Sequence, residues 1–278
     1  MRKLYLTILI SVTIVCVIFG TLYHAARFAL FTGRSLKGID SIIGVDEGDI
    51  MTQSYDISGS IASVDLDMAM GDVAIRTGDD FSVTWTGTEK SAPSVSLDGT
   101  ELTVKQKGNY DLKDAFGSKK ELVITIPSGT AFMDLDVKLD MGNLTLSSIS
   151  ATKAEIKLSK GNIKFDGASI GDLETKADMG NIEIRDMRAG SVSIEANMGN
   201  IEAQGIDDFS KLSIKADLGN VELDLTQKTE EFTFDLDDDL GNVKLNGEKV
   251  SSKYKQGQGS STIEVDADMG NIHINTAG

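Results

Sequence analysis

Apolar and polar residues alternate with a period of two along most of the chain after residue 130. Residues 173–177 read LETKA, and after a short turn residues 182–185 read IEIR. Residues 192–196 and 201–203, VSIEA and IEA, repeat this arrangement on the two sides of the next turn. A period of two is typical of β-strands that bury one face. The pattern therefore predicts an all-β protein built from strand–turn–strand units.

The turn between the strands is itself a repeated motif, Gly-Asn or Gly-Asp followed by Val, Leu or Ile. With Met, Leu or Lys directly before the glycine it occurs eight times, at Gly71, Gly142, Gly161, Gly180, Gly199, Gly219, Gly241 and Gly270. From the second motif onwards the intervals between glycines are 19, 19, 19, 20, 22 and 29 residues. Glycine and asparagine tolerate the positive φ values of sharp turns, so each motif is predicted to form a corner.

Two architectures compete for these units: an antiparallel meander of hairpins, and a solenoid in which each repeat forms one rung. The near-constant interval favours the solenoid, because a meander gives no reason for one identical corner per repeat. We predict an all-β, single-stranded β-solenoid of either hand, right- or left-handed. Its parallel stacked rungs are expected to contain about 19–22 residues each.

Stacked rungs place equivalent residues above one another in columns, and two columns have uniform chemistry. The first consists of Asn143, Asn162, Asn181, Asn200, Asn220, Asn242 and Asn271. The second, predicted to face inwards, consists of Leu158, Ala177, Ala196, Ala216, Leu236 and Ala267. Because stacked amide side chains form hydrogen-bonded ladders, we expect an asparagine ladder along the corner.

Residues 50–130 lack the regular interval and are predicted to form an irregular capping part of the same domain. Within them, residues 81–85, 95–97, 102–104 and 122–126 alternate as strands do. The regular rungs are predicted over residues 131–278, and the long last interval is expected to hold an exposed loop at residues 246–261. One β-solenoid domain is therefore expected over residues 50–278.

An uncharged apolar segment lies near the N-terminus, from Leu4 to Tyr23. A helix of this length crosses the ~30 Å hydrocarbon core of a bilayer. We predict a transmembrane anchor over residues 1–24 and a juxtamembrane stalk over residues 25–49. Arg2 and Lys3 favour a cytoplasmic N-terminus and an extracellular C-terminal domain. A cleaved signal peptide is the alternative, and it has a shorter apolar core.

The chain carries a formal net charge of -16, which restricts its partners. Residues 1–37 contain five basic residues and no acidic residue, so the excess of acid lies in the rest of the chain. A domain this acidic repels nucleic acid, and nucleic-acid binding is excluded. The single cysteine, Cys16, lies in the apolar segment, so disulfides do not staple the domain.

Acidic residues directly before the corner are weak candidates for calcium ligands. They are Asp140, Asp178, Asp217, Asp239 and Asp268, and Ser159 and Asn197 interrupt the same column. Calcium prefers such oxygen ligands. The alternative is that each aspartate caps its own turn.

An apolar residue precedes the corner glycine in most repeats. We predict a partner surface formed by Met141, Met179, Met198, Leu218, Leu240 and Met269. The corresponding residue of another repeat is Lys160, and a lysine is almost never fully buried unless paired. This position is therefore expected to be partly exposed, and methionine adapts to several partners. Packing of these side chains on the neighbouring rung is the alternative.

Catalytic and cofactor signatures are lacking from the sequence. The two histidines, His24 and His273, lie near opposite ends of the chain, so they form no pattern for a catalytic triad or a zinc site. The Gly-Asn corners lack the lysine of a phosphate-binding loop. We therefore expect neither catalytic residues nor a cofactor.

The corners and strands together resemble a family of bacterial envelope domains of unknown function that is known as the putative adhesin family and includes LiaG-like proteins. The features that carry the resemblance are the segment 96–104 (SLDGTELTV), the strand 121–127 (ELVITIP), and the following ladder of Gly-Asn rungs that ends at 270–274. The resemblance covers residues 50–278. It implies a membrane-anchored β-solenoid outside the cytoplasmic membrane, often linked with envelope stress, without an established activity.

The sequence and the resemblance together lead us to expect a non-enzymatic binding or scaffold protein of the bacterial cell envelope. Its expected partners are the membrane, through the N-terminal helix, and an envelope protein or cell-wall component. A surface adhesin or polysaccharide-binding module is the second hypothesis, although the sequence shows no column of aromatic residues. A carbohydrate-active enzyme is the third, because some parallel β-helices act on polysaccharides.

Overall fold

A computed structural model describes residues 50–57, 59–107 and 119–277, which belong to one compact unit. In these residues no helix has both the length and the apolar character needed to cross a membrane. The anchor predicted at residues 1–24 and the stalk predicted at 25–49 lie outside the described residues, as do Cys16 and His24. Those assignments therefore stay predictions.

The repeated units form coils, each consisting of one longer strand, the Gly-Asn corner and a second strand. The central strands are β8 Ala131–Met141, β9 Leu144–Ser147, β10 Ser150–Lys160, β11 Ile163–Asp166, β12 Ser169–Met179, β13 Ile182–Met198, β14 Ile201–Asp207, β15 Lys211–Leu218 and β16 Val221–Lys228. Their burial alternates as the sequence predicts, since the apolar residues face inwards and the polar residues face solvent. Strand β13 serves two coils, because it continues through a second bend at Asp186, where φ is 49°.

Successive coils stack in parallel and in register. Strand β10 pairs with β8 on one side and with β12 on the other, so that Lys160 lies between Met141 and Met179. Beyond the corner, Ile163 lies between Leu144 and Ile182 in the same way. The fold is therefore all-β and β-solenoid-like, with equivalent corners directly above one another, and the repeats are not hairpins of a meander.

The coil that the N-terminal part contributes first does not lie at the end of the stack. Its strands are β1 Met51–Tyr55, β2 Ser63–Met70, β3 Asp72–Gly78, β4 Ser82–Gly87, β5 Ser94–Asp98, β6 Glu101–Lys105 and β7 Glu121–Pro127. Strand β2 pairs in parallel with both β6 and β8, and β3 pairs with both β7 and β9. Strands β1, β4 and β5 add antiparallel pairings outside this coil. The coil of β2 and β3, which comes first in the sequence, therefore lies second in the stack, between the coil of β6 and β7 and the coil of β8 and β9.

The C-terminal part has the same non-sequential order. Its strands are β17 Phe232–Leu240, β18 Val243–Leu245, β19 Glu248–Lys249, β20 Lys253–Gln256, β21 Ser261–Met269 and β22 Ile272–Ala277. Strand β21 pairs with both β15 and β17, and β22 pairs with both β16 and β18. The last coil in the sequence is therefore inserted between its two predecessors. The exposed loop predicted at residues 246–261 contains β19 and β20, which pair antiparallel with β18 and β17.

The register corrects one predicted core position. The inward column before the corner contains Leu158, Ala177, Ala196 and Ala216, as expected, and Ala216 pairs with Ala267. In the outermost coil, however, the partner of Ala267 is Asp238, while Leu236 lies two residues earlier, opposite Val265. Counting three residues back from Gly241, as in the other repeats, would have identified this aspartate.

Candidate binding ridge at the glycine corner

Seven side chains lie in one row along the outside of the corner, and six of them are apolar. Their order in space is Met141, Lys160, Met179, Met198, Leu218, Met269 and Leu240, as the pairing of successive strands shows. We call the six apolar members the corner ridge. Neighbouring coils are ~4.8 Å apart, so the five consecutive members from Met179 to Leu240 span about 19 Å.

The members of the corner ridge are partly exposed to solvent. The exposed fraction is 36% for Met179 and rises to 69% for Leu240. The corresponding residue of the first coil, Met70, is buried, and its backbone N–H donates a hydrogen bond of 2.8 Å to Oε1 of Gln106. The ridge therefore begins at Met141. Exposed methionine and leucine side chains in one row form an apolar strip on an otherwise charged surface.

The predicted asparagine ladder runs beside the corner ridge. In each central coil the asparagine Oδ1 accepts the backbone N–H of the asparagine in the next coil, with N···O distances between 2.8 Å and 3.1 Å. Several side-chain amides also donate to the same oxygen, for example Asn162 Nδ2 to Asn143 Oδ1 at 3.0 Å. The ladder therefore fixes the corner backbone of each coil to the next coil.

Opposite charges close the two ends of the ladder. At the first coil, Asp72 Oδ1 accepts both the backbone N–H and the side-chain N–H of Asn143, each at 2.9 Å. At the last coil, Lys249 Nζ donates to Asn242 Oδ1 at 2.6 Å. All ladder amides point in one direction, so their dipoles add as in a helix, and the carboxylate and the ammonium lie at the ends that favour them. The aspartate that replaces asparagine in the first motif has this structural role.

The proposed calcium candidates lie beside the corner ridge, but they do not converge. Ser159 and Asn197 separate Asp140, Asp178 and Asp217, and Asn197 Nδ2 donates to Asp178 Oδ1 at 3.1 Å. Asp217, Asp268 and Asp239 precede ridge residues of three successive coils and form an acidic row. In the part of the chain that the structure describes, no group of three acidic, histidine or cysteine side chains is placed to hold a metal ion. Calcium binding stays a prediction.

His273 lies in the middle of β22 and faces outwards. Its register partners are Glu222 on one side and Lys244 on the other, so the histidine belongs to a mixed row of charged side chains. It is half-buried. This environment is that of a charged β-sheet face, and it gives the imidazole no defined chemical role.

A shallow acidic groove of about 400 Å³ lies on the face of the sheet that includes β2, β8 and β10. It is lined by Asp65, Glu101, Asp134, Asp136, Lys153 and Glu155 among others. Partial burial of the carboxyl group, followed by repulsion from Glu155 and Asp65, raises the pKa of Asp136, whereas the hydrogen bond from Lys157 lowers the pKa of Glu155. Two neighbouring carboxyl groups whose pKa values are shifted in opposite directions are typical of acid–base sites.

The groove nevertheless has the properties of a charged surface. Asp136 itself is exposed, and Lys105 and Lys157 already form ion pairs with Asp65 and Glu155. Water therefore screens the interactions among these carboxylates, and exposed ion pairs contribute little. We interpret these residues as a solvated face of alternating charge.

One carboxyl group, that of Asp238, is buried in the outermost coil. Asp238 is 2% exposed, and neither side-chain oxygen has a hydrogen-bond partner. Burial raises the pKa of Asp238. The backbone N–H of Leu240, which lies near the carboxylate but outside hydrogen-bond geometry, lowers this pKa, and the neighbouring Asp239 and Asp237 raise it further. A buried carboxylate without partners destabilises the folded state.

We expect Asp238→Ala to stabilise the protein at neutral pH by about 1–2 kcal/mol, because alanine occupies this column in the neighbouring coils. The folded state binds the Asp238 proton more tightly than the unfolded state does. The destabilisation is therefore fully present above the raised pKa and declines as the pH falls towards the ordinary aspartate value. Chemical denaturation at neutral and acidic pH measures the difference, and Asp166→Ala, an exposed aspartate in a different coil, is the control. Equal effects of the two substitutions would contradict the assignment.

The stacked coils and the repeated corner define a β-solenoid-like, all-β repeat protein. The family model Toastrack DUF4097 matches residues 61–275, and the chain belongs to this family. The resemblance to the adhesin family inferred from the corner motifs is thereby confirmed. No functionally curated protein matches the sequence.

Several solved structures of low sequence identity are similar. A putative adhesin from Bacteroides fragilis is 13% identical with a TM-score of 0.44, and the match covers 82% of this chain and 97% of the other. A putative lipid-binding protein from Parabacteroides distasonis is 15% identical with a TM-score of 0.42, covering 83% and 98%. A putative cell adhesion protein from Clostridium sporogenes is 15% identical with a TM-score of 0.36, covering 82% and 100%. Similarities this low do not assign a ligand to this chain.

Proposed function

We propose that the protein is a non-enzymatic binding or scaffold protein of the bacterial cell envelope and that the corner ridge is its binding surface. The observation that carries this proposal is the row of exposed apolar side chains from Met179 to Leu240. A soluble domain gains nothing in stability from apolar side chains that face water, and rows of them mark interaction sites. The asparagine ladder holds the backbone of the row rigid, so little backbone conformational entropy is lost when a partner binds.

The proposed location is outside the cytoplasmic membrane, with the N-terminal apolar segment as a single-pass anchor. The uncharged run from Leu4 to Tyr23 and the basic residues before it support this arrangement. A link with envelope stress rests on the family resemblance alone. The partner in this proposal is an envelope protein, and the acidic charge of the domain argues against nucleic acid.

Site-specific photocrosslinking in intact membranes tests the proposal. A photoreactive residue at position 218 or 269 of the full chain is expected to give a crosslinked product that mass spectrometry identifies. The control position is 133, where Met133 is 65% exposed but lies near the opposite end of strand β8 from the ridge residue Met141. Equal crosslinking from the ridge and from position 133, or none from the ridge, would contradict the proposal.

A polysaccharide-binding role is the second candidate, and a cleft near the C-terminal end supports it. The cleft has a volume of about 440 Å³ and is lined by Thr229, Glu230, Phe234, Tyr254, Gln256, Gly257 and Gln258. Tyr254 donates a hydrogen bond of 2.6 Å to Gln256 Oε1. An aromatic ring beside amide and carboxylate groups suits a sugar. If this candidate is right, Tyr254→Ala abolishes binding to cell-wall glycans and Met198→Gln leaves it unchanged.

A further inference from the structure

The charge around the corner ridge is unequal along its length. At one end, Lys160 interrupts the row between Met141 and Met179. A small groove nearby is lined by Lys138, Lys157, Lys176 and Asp178, and each of these lysines pairs with a carboxylate, so the charge at this end is mixed. At the other end, the acidic row of Asp217, Asp268 and Asp239 directly precedes Leu218, Met269 and Leu240. Lys215 is the one basic group that pairs with this row, 3.8 Å from Asp217, in the part of the chain that the structure describes. The longest apolar stretch therefore has an acidic border.

The spacing along the ridge matches that of an α-helix. Apolar residues at positions a and d of a heptad occur twice in 10.5 Å of helix, or once in about 5.2 Å. The ridge side chains recur once in about 4.8 Å, the separation of neighbouring coils. Over four intervals the two spacings drift apart by about 1.6 Å, and flexible methionine side chains absorb such a mismatch. A helix of about 13 residues covers the 19 Å from Met179 to Leu240.

A second copy of the chain fits this surface less well. Two ridges in contact would bring the acidic rows beside Leu218, Met269 and Leu240 of both copies together, and the whole chain has a net charge of -16. The ridge is also a single row of side chains, so two ridges in contact would bury far less than the ~800 Å² that each partner of a stable interface buries. A slender partner of opposite charge avoids the repulsion, and a transient complex does not need an interface of that size.

We propose that the corner ridge binds a basic amphipathic α-helix of a partner protein. This inference rests on the proposed function and specifies its partner. The helix places its apolar a and d residues between Met179, Met198, Leu218, Met269 and Leu240. Its lysine or arginine residues lie over Asp217, Asp268 and Asp239, and Lys160 at the other end disfavours basic residues there. The unequal charge thus selects one direction of the helix along the ridge.

A designed peptide tests this proposal on the full chain in phosphatidylcholine nanodiscs, with empty nanodiscs as the blank. The peptide has 18 residues, with leucine at positions a and d and lysine at e and g. A second peptide carries glutamate in place of every lysine. Fluorescence anisotropy measures binding to the unchanged protein and to the double variant Met198→Gln/Leu218→Gln. The matched control is Met133→Gln, an exposed methionine outside the ridge.

We expect the lysine peptide to bind the unchanged protein. It should bind the ridge variant at least about tenfold more weakly, because two apolar contacts are removed. The Met133→Gln protein retains the original affinity within about twofold. The glutamate peptide binds at least about tenfold more weakly than the lysine peptide, and added salt weakens the lysine peptide. Substituting Asp217→Asn and Asp268→Asn together lowers its affinity by about threefold or more. Thermal unfolding confirms that the variants are folded.

Several results overturn the helix partner. They are the absence of peptide binding, equal binding of the two peptides, and equal binding to the ridge variant and the unchanged protein. The photocrosslinking experiment separates this failure from failure of the proposed function. Ridge crosslinks to lipid, to a second copy or to a protein without such a helix would leave the ridge as the binding surface and refute only the helix.

Discussion

Replacing the corner glycine Gly180 with alanine is expected to destabilise the protein by more than about 4 kcal/mol, enough to prevent cooperative folding. Gly180 has φ of 143°, a value that L-residues with a side chain rarely adopt. A Cβ atom at this position would also overlap the carbonyl oxygen of Gly161 in the neighbouring coil. Relief of that overlap requires the two coils to move apart, which breaks the backbone and ladder hydrogen bonds between them.

Chemical denaturation monitored by circular dichroism measures this effect, and Gly129→Ala is the matched control. Gly129 also has a positive φ of 86°, but a Cβ atom added there would meet no other atom within 4 Å. Its substitution therefore adds only local backbone strain, about 1–2 kcal/mol. If Gly180→Ala folds with the same denaturation midpoint as Gly129→Ala, the close contact of stacked corners is wrong.

Slow hydrogen exchange is expected for the C-terminal strand β22, although terminal strands usually fray. Strand β22 lies between β16 and β18, so its amides pair with both neighbours. The backbone N–H of Ile272, for example, donates to Asn242 O at 3.1 Å, and the N–H of Val221 donates to Asn271 O at 2.9 Å. Opening β22 therefore requires the outermost coil to separate as well.

Exchange measured by mass spectrometry or NMR should be at least about 100-fold slower in β22 than in β20, which pairs with β17 at the edge of the sheet. Strand β20 is the internal control because it is also short and close to the C-terminus. Its lysines, Lys253 and Lys255, pair with Asp237 and Asp235, as expected for a protected edge. Equal rates in the two strands would show that the terminal coil is not enclosed.

The sequence predicted the regular part of the fold because its local signals agree. Alternating apolar residues specify which face is buried, and one Gly-Asn motif per 19 residues specifies where the chain turns. Parallel stacking then follows, since only equivalent corners have the same shape. The asparagine ladder was predictable for the same reason, and Asn143, Asn162 and Asn181 form it as expected.

The order of the terminal coils could not be predicted from this pattern. Coils that contain the same corner are interchangeable neighbours, so the motifs at Gly241 and Gly270 fit equally well beside the motif at Gly219. The choice depends on long-range pairing of β20 with β17 and of β21 with both β15 and β17. Periodicity also does not distinguish Leu236 from Asp238, because residues two apart lie on the same face of a strand.

The corner ridge was predictable as a column, and Lys160 correctly indicated that the position reaches solvent. The order within its acidic border was not visible, because only the insertion of the last coil places Asp268 between Asp217 and Asp239. The burial of Met70 likewise depends on Gln106 and on the pairing of β2 with β6, which join residues far apart in the sequence.

Disulfide formation between corner residues measures the stacking order directly. In a Cys16→Ser background, we expect Leu218→Cys to crosslink with Met269→Cys, and Met269→Cys with Leu240→Cys, since each pair lies in adjacent coils. Adjacent coils are ~4.8 Å apart, within the Cα separation of a disulfide, whereas coils two apart are about 9.6 Å apart. The pair Leu218→Cys and Leu240→Cys should therefore stay reduced. A disulfide between positions 218 and 240, with none to position 269, would contradict the aligned corners and the enclosed terminal coil.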